Sequence, residues 1–532
     1  MPIVQGLWQT YAGGAAHLGE AWHGKSLWLS LYTASLATLL SLLSALGLAA
    51  CFGARVRLLT WLSLPLLAVP HAALAQALAV NLSPSGFWVR LLSPWATGYE
   101  RPPSNWLWDQ HPDGWTLILA LAVKELPYFL ILIYTYSATL PMAQWRRAGA
   151  GLGYSATASW WHLALPAILP RLLLPIFVVL AFSISVVDVA AIAGPSSLKT
   201  YAHSLQSAWQ NDTPREQVLA GALWLLALTL ALLTAAWALV SLGSKSLSWG
   251  HRWRRDRPAL AIPQVGAALG LALLTLAYVS LALLPLLSII ETFGRTFPAL
   301  FEGRLGFAGW AQAIKLALPT LPVTLALAGA TTMLSLLGAL WLLEGESRWG
   351  QRRRQGQQQG AFDTFLLIPL LVPQFAFLSG AAFLGLKWGW IPDQGFLVAI
   401  WFHGLFVFPY VFLVLAPAFR GIDPALGRAA ASLGKSPNTI FWQMKLPILL
   451  RPISFAFAWG MAVSLALYLP TFFASVGRFE TLLSVGVTQL AGKGESVRAV
   501  WGLLLLILPL LFFALAALIS NWQARYRRGL RT

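Results

Sequence analysis

Of 532 residues only one is a cysteine and only 18 are acidic. A single thiol, Cys51, set in an apolar run, excludes a disulfide framework and any cysteine-built metal site. Charge of either sign is scarce: 10% of the residues are Asp, Glu, Lys or Arg, against roughly a quarter in a soluble protein. Such a chain cannot cover a water-facing surface, so a soluble enzyme is excluded. At 58% hydrophobic, so is a disordered basic tail. Motifs that carry chemistry are missing too. No Gly-x-x-x-x-Gly-Lys-Ser/Thr phosphate loop occurs, no His/Asp/Glu group has metal-ligand spacing, and no serine sits in a nucleophile elbow. The expectation is therefore no catalytic residue, no cofactor and no bound metal, and any ATP that drives the protein binds another chain.

What is present is apolar length. A bilayer core needs roughly 20 apolar helical residues per crossing. Eleven windows qualify: 28–52, 58–81, 115–138, 168–193, 217–242, 263–290, 316–343, 364–385, 396–418, 449–475 and 499–520. Their Leu- and Ala-rich content and their length suit helices, not barrel strands of about ten residues. Prolines such as Pro65, Pro70, Pro127, Pro373 and Pro409 are tolerable inside a bundle. The expected fold is all-α, a polytopic helical membrane protein, and most of the 27 Trp residues fall near span ends as interfacial belts.

The net charge of +18 then has to be explained by position, not by nucleic acid. One alternate set of loops, from Arg55 to Arg531, holds 23 basic residues and five acids, while the other holds 12 and 11. The basic set lies inside by the positive-inside rule, which puts the C-terminus in the cytoplasm and the N-terminus outside. Residues 1–27 form an external segment without the features of a signal peptide. Two readings of it stay open: a further helix ahead of Met1, or a short tail carried across with the first hairpin.

The chain also repeats itself. Residues 147–166 read RAGAGLGYSATASWWHLALP and residues 428–447 read RAAASLGKSPNTIFWQMKLP. In both, Pro (Pro166, Pro447) stands thirteen positions after Gly (Gly153, Gly434), and the copies stand 281 apart. Each follows a Pro-Tyr pair, Pro127-Tyr128 and Pro409-Tyr410. Upstream lie Val69-Pro70-His71 and Val372-Pro373-Gln374, and before them Ser-Leu-Leu-Ser-Ala-Leu from Ser41 and Ser-Leu-Leu-Gly-Ala-Leu from Ser335. Four matches in one order indicate an internal duplication: a first half at 28–242 with five spans, a basic linker at 243–262, a second half at 263–521 with six spans, and a basic tail at 522–532. Each repeated segment reads as a short amphipathic helix, a glycine turn and a second helix that stops at Leu-Pro.

Both segments resemble the cytoplasmic coupling loop of type I ABC importer permeases, in which Glu-Ala-Ala, three residues and Gly precede Leu-Pro by thirteen. Two copies in one chain resemble the fused permeases of the iron(III) and thiamine importer group. The stretch Tyr468–Leu482 is most similar to a thiamine-like bacterial subgroup. The resemblance extends over the chain beyond residue 27. It implies two copies of a cytoplasmic ATP-binding subunit, one docked on each loop through Arg147, Ala148, Gly153, Leu165 and Pro166, and through Arg428, Ala429, Ala430, Gly434, Leu446 and Pro447. It also implies a periplasmic solute-binding protein, a bacterial inner-membrane location and a small solute, thiamine-like, metal cation or oxyanion. The chain departs from the pattern where Arg147 and Arg428 replace the Glu and Gly149 replaces the second Ala. Either the partner's groove is adapted, or the contact runs through backbone.

Ionisable groups at membrane depth cost about 2.5–3.5 kcal/mol each on insertion scales, so each needs a role. Lys124 and Glu125 are adjacent and point about 100° apart on a helix, so they do not form an ideal pair with each other. Asp188 lies near a span end, and His71 and Gln374 each follow a proline at matching places. These five are the candidates for a translocation path; the competing roles are a structural ion pair with another helix for Lys124 and Glu125, a solvated helix end for Asp188 and hydrogen-bonded packing for His71. His403 reads as a packing residue. The alternative function is a secondary transporter driven by an ion gradient, which leaves the two equally spaced loops unexplained.

Overall fold

The structure is a computed structural model that describes residues 23–103, 106, 108, 111–211, 213–250, 261–294, 296–299, 304–350, 366, 368–490 and 492–526. Most of the external segment, most of the basic linker, Arg352 to Arg354 and the end of the basic tail lie outside the described residues. The fold is all-α. In chain order the helices used below are α1 (Gly24–Phe52), α2 (Val56–Ala68), α3 (His71–Asn81), α4 (Trp115–Ala138), α5 (Met142–Gly151), α6 (Ala156–Ser185), α7 (Asp188–Ala193), α8 (Tyr201–Gln210) and α9 (Arg215–Gly250). They continue with α10 (Ala261–Ile289), α11 (Leu321–Gly350), α12 (Gln374–Lys387), α13 (Trp390–Arg420), α14 (Pro424–Ser432), α15 (Pro437–Leu465), α16 (Leu469–Ser475), α17 (Leu482–Thr488) and α18 (Glu495–Tyr526).

Nine of the described helices are long and apolar enough to cross a membrane: α1, α4, α6, α9, α10, α11, α13, α15 and α18. Two of the eleven expected windows are broken instead of continuous. Window 58–81 is α2 and α3, bent by 97° at Val69-Pro70. Proline has no N–H and pushes the residue before it into extended backbone, and Val69 indeed has ψ 125°. Window 364–385 splits at Pro373 into Ile368–Leu371 and α12. Windows 168–193 and 449–475 are shifted: α6 and α15 begin twelve residues earlier and stop at Ser185 and Leu465.

The chain divides into two compact units. The first takes the described part of Met1–Ile314, with Leu370–Leu384 and Val487–Leu503. Its framework is α1 packed on α4 and α10. Small residues let α1 and α10 approach closely: a Cβ on Gly266 would stand 2.5 Å from the Leu43 carbonyl oxygen, and one on Gly270 2.7 Å from Leu48 Cδ1. Two threonines inside α1 donate to the preceding turn, Thr33 to Leu29 O (2.8 Å) and Thr38 to Ala34 O (2.8 Å), which makes these hydroxyls tolerable at membrane depth. Ala77 and Val80 of α3 close a core with Leu284, Leu287, Ile290, Ala499 and Leu503.

The second unit holds Lys315–Pro369, Gly385–Gly486 and the described part of Leu504–Thr532. There α11 packs on α13 and α15. Ala328, Met461 and Leu465 form a core with Phe457, Leu508 and Phe512 around them. His403 is a buried packing residue, its Nδ1 2.9 Å from Ser464 Oγ and its Nε2 2.9 Å from Thr471 Oγ1. It thereby pins the end of α15 to the start of α16.

Candidate functional site

The two repeated segments fold into one backbone form, twice. After α5 and α14 the chain turns at Gly153 (φ 83°) and Gly434 (φ 75°), in the left-handed region that glycine adopts without strain. The Gly153 amide donates to Ala150 O at 3.0 Å and the Tyr154 amide to Gly149 O at 2.9 Å. In the second copy Gly434 donates to Ala431 O at 3.0 Å and Lys435 to Ala430 O at 3.2 Å. These bonds satisfy carbonyls left over at a helix end. Ser155 and Ser436 then cap the next helix, each accepting from the amide three residues on.

The expectation that this next helix stops at Leu-Pro is corrected. It runs on as a membrane-length helix, α6 or α15, and one π-turn precedes the proline in each: Trp160–Ala164 and Phe441–Lys445. The amides of Leu165 and Leu446 reach back five residues, to Trp160 O and Phe441 O. That extra residue displaces the carbonyl the proline ring would strike and removes the need for the N–H that proline lacks. Pro166 and Pro447 therefore mark a change of helical pitch at the base of the span.

Of the residues singled out in the loops, Arg147, Ala148, Gly153, Arg428, Ala429 and Gly434 are exposed. Ala430, Pro166, Leu446 and Pro447 are half-buried and Leu165 is buried. Gly149 has a steric reason: a Cβ there would stand 2.9 Å from Ser159 Cβ and closer still to its hydroxyl. The reading of the sequence passed over two further residues. Leu152 and Leu433 stand at the two turns, 76% and 79% exposed, unusually bare for leucine. Their identical place ahead of each glycine was the signal available.

Four of the five intramembrane candidates fall in one region of the first unit. His71 Nε2 lies 3.0 Å from Glu125 Oε1, joining α3 to α4, and its ring stands 4.5 Å from that of Phe182. Lys124 turns the other way and donates to Leu66 O (2.8 Å) and Leu67 O (3.0 Å). Leu66 is the residue whose carbonyl would have paired with the missing N–H of Pro70. The ammonium thus caps the end of α2 at the 97° bend, where the helix dipole also favours positive charge. Asp188 opens α7, after a two-residue break that ends α6, and interacts electrostatically with His71. Gln374 opens α12 just as His71 opens α3, but has no hydrogen bond to this group.

A matching pair of tertiary bonds lies beyond the loops. The Tyr201 amide at the start of α8 donates to Ser30 Oγ of α1 at 2.7 Å, and the Leu482 amide at the start of α17 donates to Thr324 Oγ1 of α11 at 2.9 Å. Among the described residues no group of three or more His, Cys, Asp or Glu could hold a metal ion.

No family model matches the chain. It is 32% identical over 474 residues to the inner membrane ABC transporter permease protein YnjC of Escherichia coli (strain K12), an alignment covering 88% of this chain and 82% of that protein. Such a permease is a multi-pass transport subunit of the bilayer and works with an ATP-binding subunit. A chain of at least nine membrane-length helices, related along most of its length to such a protein, belongs to the inner-membrane permeases of ABC transporters.

Proposed function

We propose that this permease serves an importer of the type I kind, with two halves of one duplicated unit in a single chain. Each loop docks one copy of a separate cytoplasmic ATPase, and a periplasmic binding protein delivers the solute. The observation that carries this reading is the pair of identical exposed turns, Gly153 and Gly434, each topped by a bare leucine and each leading through a π-turn into a membrane-length helix. Closure of the ATPase pair on ATP pulls on the two loops, and α6 and α15 carry that movement into the membrane. The C-terminus is cytoplasmic, on the side where the basic loops lie.

His71 and Glu125 supply a polar point on the solute path, with Asp188 beside it, while Lys124 serves the bend itself. The solute is small; the likeness to the iron(III) and thiamine group supports a thiamine-like compound, a metal cation or an oxyanion. The test is copurification of the permease with its ATP-binding subunit, followed by uptake in proteoliposomes. Binding at two copies per permease, and uptake abolished when both loops are deleted, support the proposal. Uptake that survives ATP depletion and collapses with an uncoupler overturns it in favour of an ion-gradient-driven transporter.

A further inference from the structure

The two loops share a backbone, yet they are attached to their surroundings by different forces. In the second unit the end of α11 carries Glu344, Glu346 and Arg348. Lys445, inside the π-turn at the base of the second loop, donates to Glu344 Oε2 at 2.7 Å and to Ser347 Oγ at 3.0 Å. Arg348 donates to Glu344 Oε1 at 2.8 Å and reaches Asn438 Oδ1 at 3.0 Å, on the first turn of α15. Arg420, at the end of α13 just before the loop, pairs with Glu346 at 3.1 Å. The Lys445 and Glu344 side chains are only 13% and 10% exposed, so this central pair is shielded from salt.

The matching positions of the first half carry no such clamp, although the exposed Arg171 donates to Thr139 Oγ1 at 2.9 Å beside that loop. The loops are related by 281 positions, and the leading helices by 294, as Ser41 and Ser335 show and as the Ser30 and Thr324 hydrogen bonds repeat. At those spacings Glu344, Glu346 and Arg348 correspond to Ala50, Phe52 and Ala54, and Arg420, Asn438 and Lys445 correspond to Thr139, Thr157 and Ala164. None of the six can carry a charge. The first loop is seated more closely by packing: Gly149 lies tight against Ser159, and Trp160 and Trp161 are buried, whereas Trp442, the counterpart of Trp161, is 64% exposed.

We propose that Glu344 and Lys445 are positioning residues that hold the second loop to the end of α11 by charge, while packing holds the first, so that the two loops pass on ATPase movement through unlike joints. The functional half of this statement rests on the reading of the loops as ATPase docking sites; the structural half does not. An ion pair fixes distance and direction and is lost as soon as one partner is neutralised, whereas packed small residues can slide while staying in contact.

Two measurements test it. The first is amide hydrogen exchange on the permease alone, in detergent, for wild type, Lys445→Met, Glu344→Gln and Lys445→Arg. The expected result is exchange at 437–445 at least about tenfold faster in Lys445→Met and Glu344→Gln, no change at 156–164, and near wild-type exchange in Lys445→Arg. Equal loosening of both loops, or of neither, overturns the proposal. The second is solute moved per ATP hydrolysed in proteoliposomes with the ATPase. It should fall at least fivefold in Lys445→Met with the ATPase still copurifying, and an unchanged ratio overturns the mechanical claim. Failure of wild-type permease to bind any ATPase would instead defeat the docking reading, leaving the exchange result to stand on its own.

Discussion

The Lys124 ammonium stands 2.8 Å from the Leu66 carbonyl oxygen, four residues before the proline that leaves that oxygen without an amide partner. A buried cation here does the work of a missing backbone N–H. Lys124→Met should therefore lower stability by about 1.5–3 kcal/mol, the range for losing a hydrogen bond to a charged group. Thermal unfolding of the purified protein in detergent reads this directly. An unchanged melting point would mean that Leu66 finds another donor.

The crossing of α1 and α10 depends on the absence of side chains. Gly266→Ala should destabilise by about 1–3 kcal/mol, because the added carbon meets the Leu43 carbonyl oxygen at 2.5 Å and overpacking forces the backbones apart. Gly329→Ala, in α11, is the control. A Cβ there meets nothing within 4 Å, so the change should be neutral or slightly stabilising through helix propensity. Parallel melts of the two variants separate steric loss from a general glycine effect.

Gly149 and Ser159 should behave as a coupled pair. Gly149→Ala alone pushes α5 off the start of α6, and Ser159→Gly supplied in the same chain should restore at least half of the lost stability. The double-mutant cycle should show an interaction energy of about 1 kcal/mol or more. Additive losses would mean that α5 does not rest on Ser159.

Leu152→Asp and Leu433→Asp should leave the melting point unchanged, since both side chains already face solvent. If the turns seat in ATPase pockets, each change forfeits about 1.5–3 kcal/mol of leucine burial, so affinity for the ATPase should drop at least tenfold per loop. Titration of the ATPase against immobilised permease measures it. Wild-type affinity in both variants would remove the leucines from the docking surface.

Acid should weaken the fold through His203 on α8. Burial, with Lys199 nearby as a second cause, pushes its imidazole down from 6.5 to about 4. Above pH 6.5 the ring is neutral in both states and its contribution is fully present. Between pH 6.5 and 4 the unfolded chain takes up a proton that the folded one refuses, so stability declines as pH falls. His203→Asn should flatten that part of the melting-point curve relative to wild type, and parallel curves would show that His203 is not responsible.

Much of the fold was open to reading because hydrophobic length and repeated spacing are local properties. The spans, the glycine turns and the opposite facing of Lys124 and Glu125 follow from residues a few positions apart. What stayed hidden depended on distant partners or on small backbone adjustments. Pro70 and Pro166 look alike in sequence, yet one breaks its helix by 97° and the other passes through a π-turn, because one inserted residue decides whether the carbonyl ahead is in the way. His403 finds Ser464 and Thr471 across 61 and 68 residues, a pairing no periodicity announces. Arg348 and Lys445 read as loop charges marking the inner side, and only the folded chain shows both joined to Glu344.

Carrying both loops on one polypeptide has a genetic consequence. In a transporter assembled from two identical subunits every substitution is inherited twice, so a charge introduced beside one loop also appears beside the other. Here each copy is a separate stretch of coding sequence. Lys445 could be acquired without touching Ala164, and Gly149 could be fixed without touching Ala430. Under the proposed duplication, the two loops are free to specialise separately.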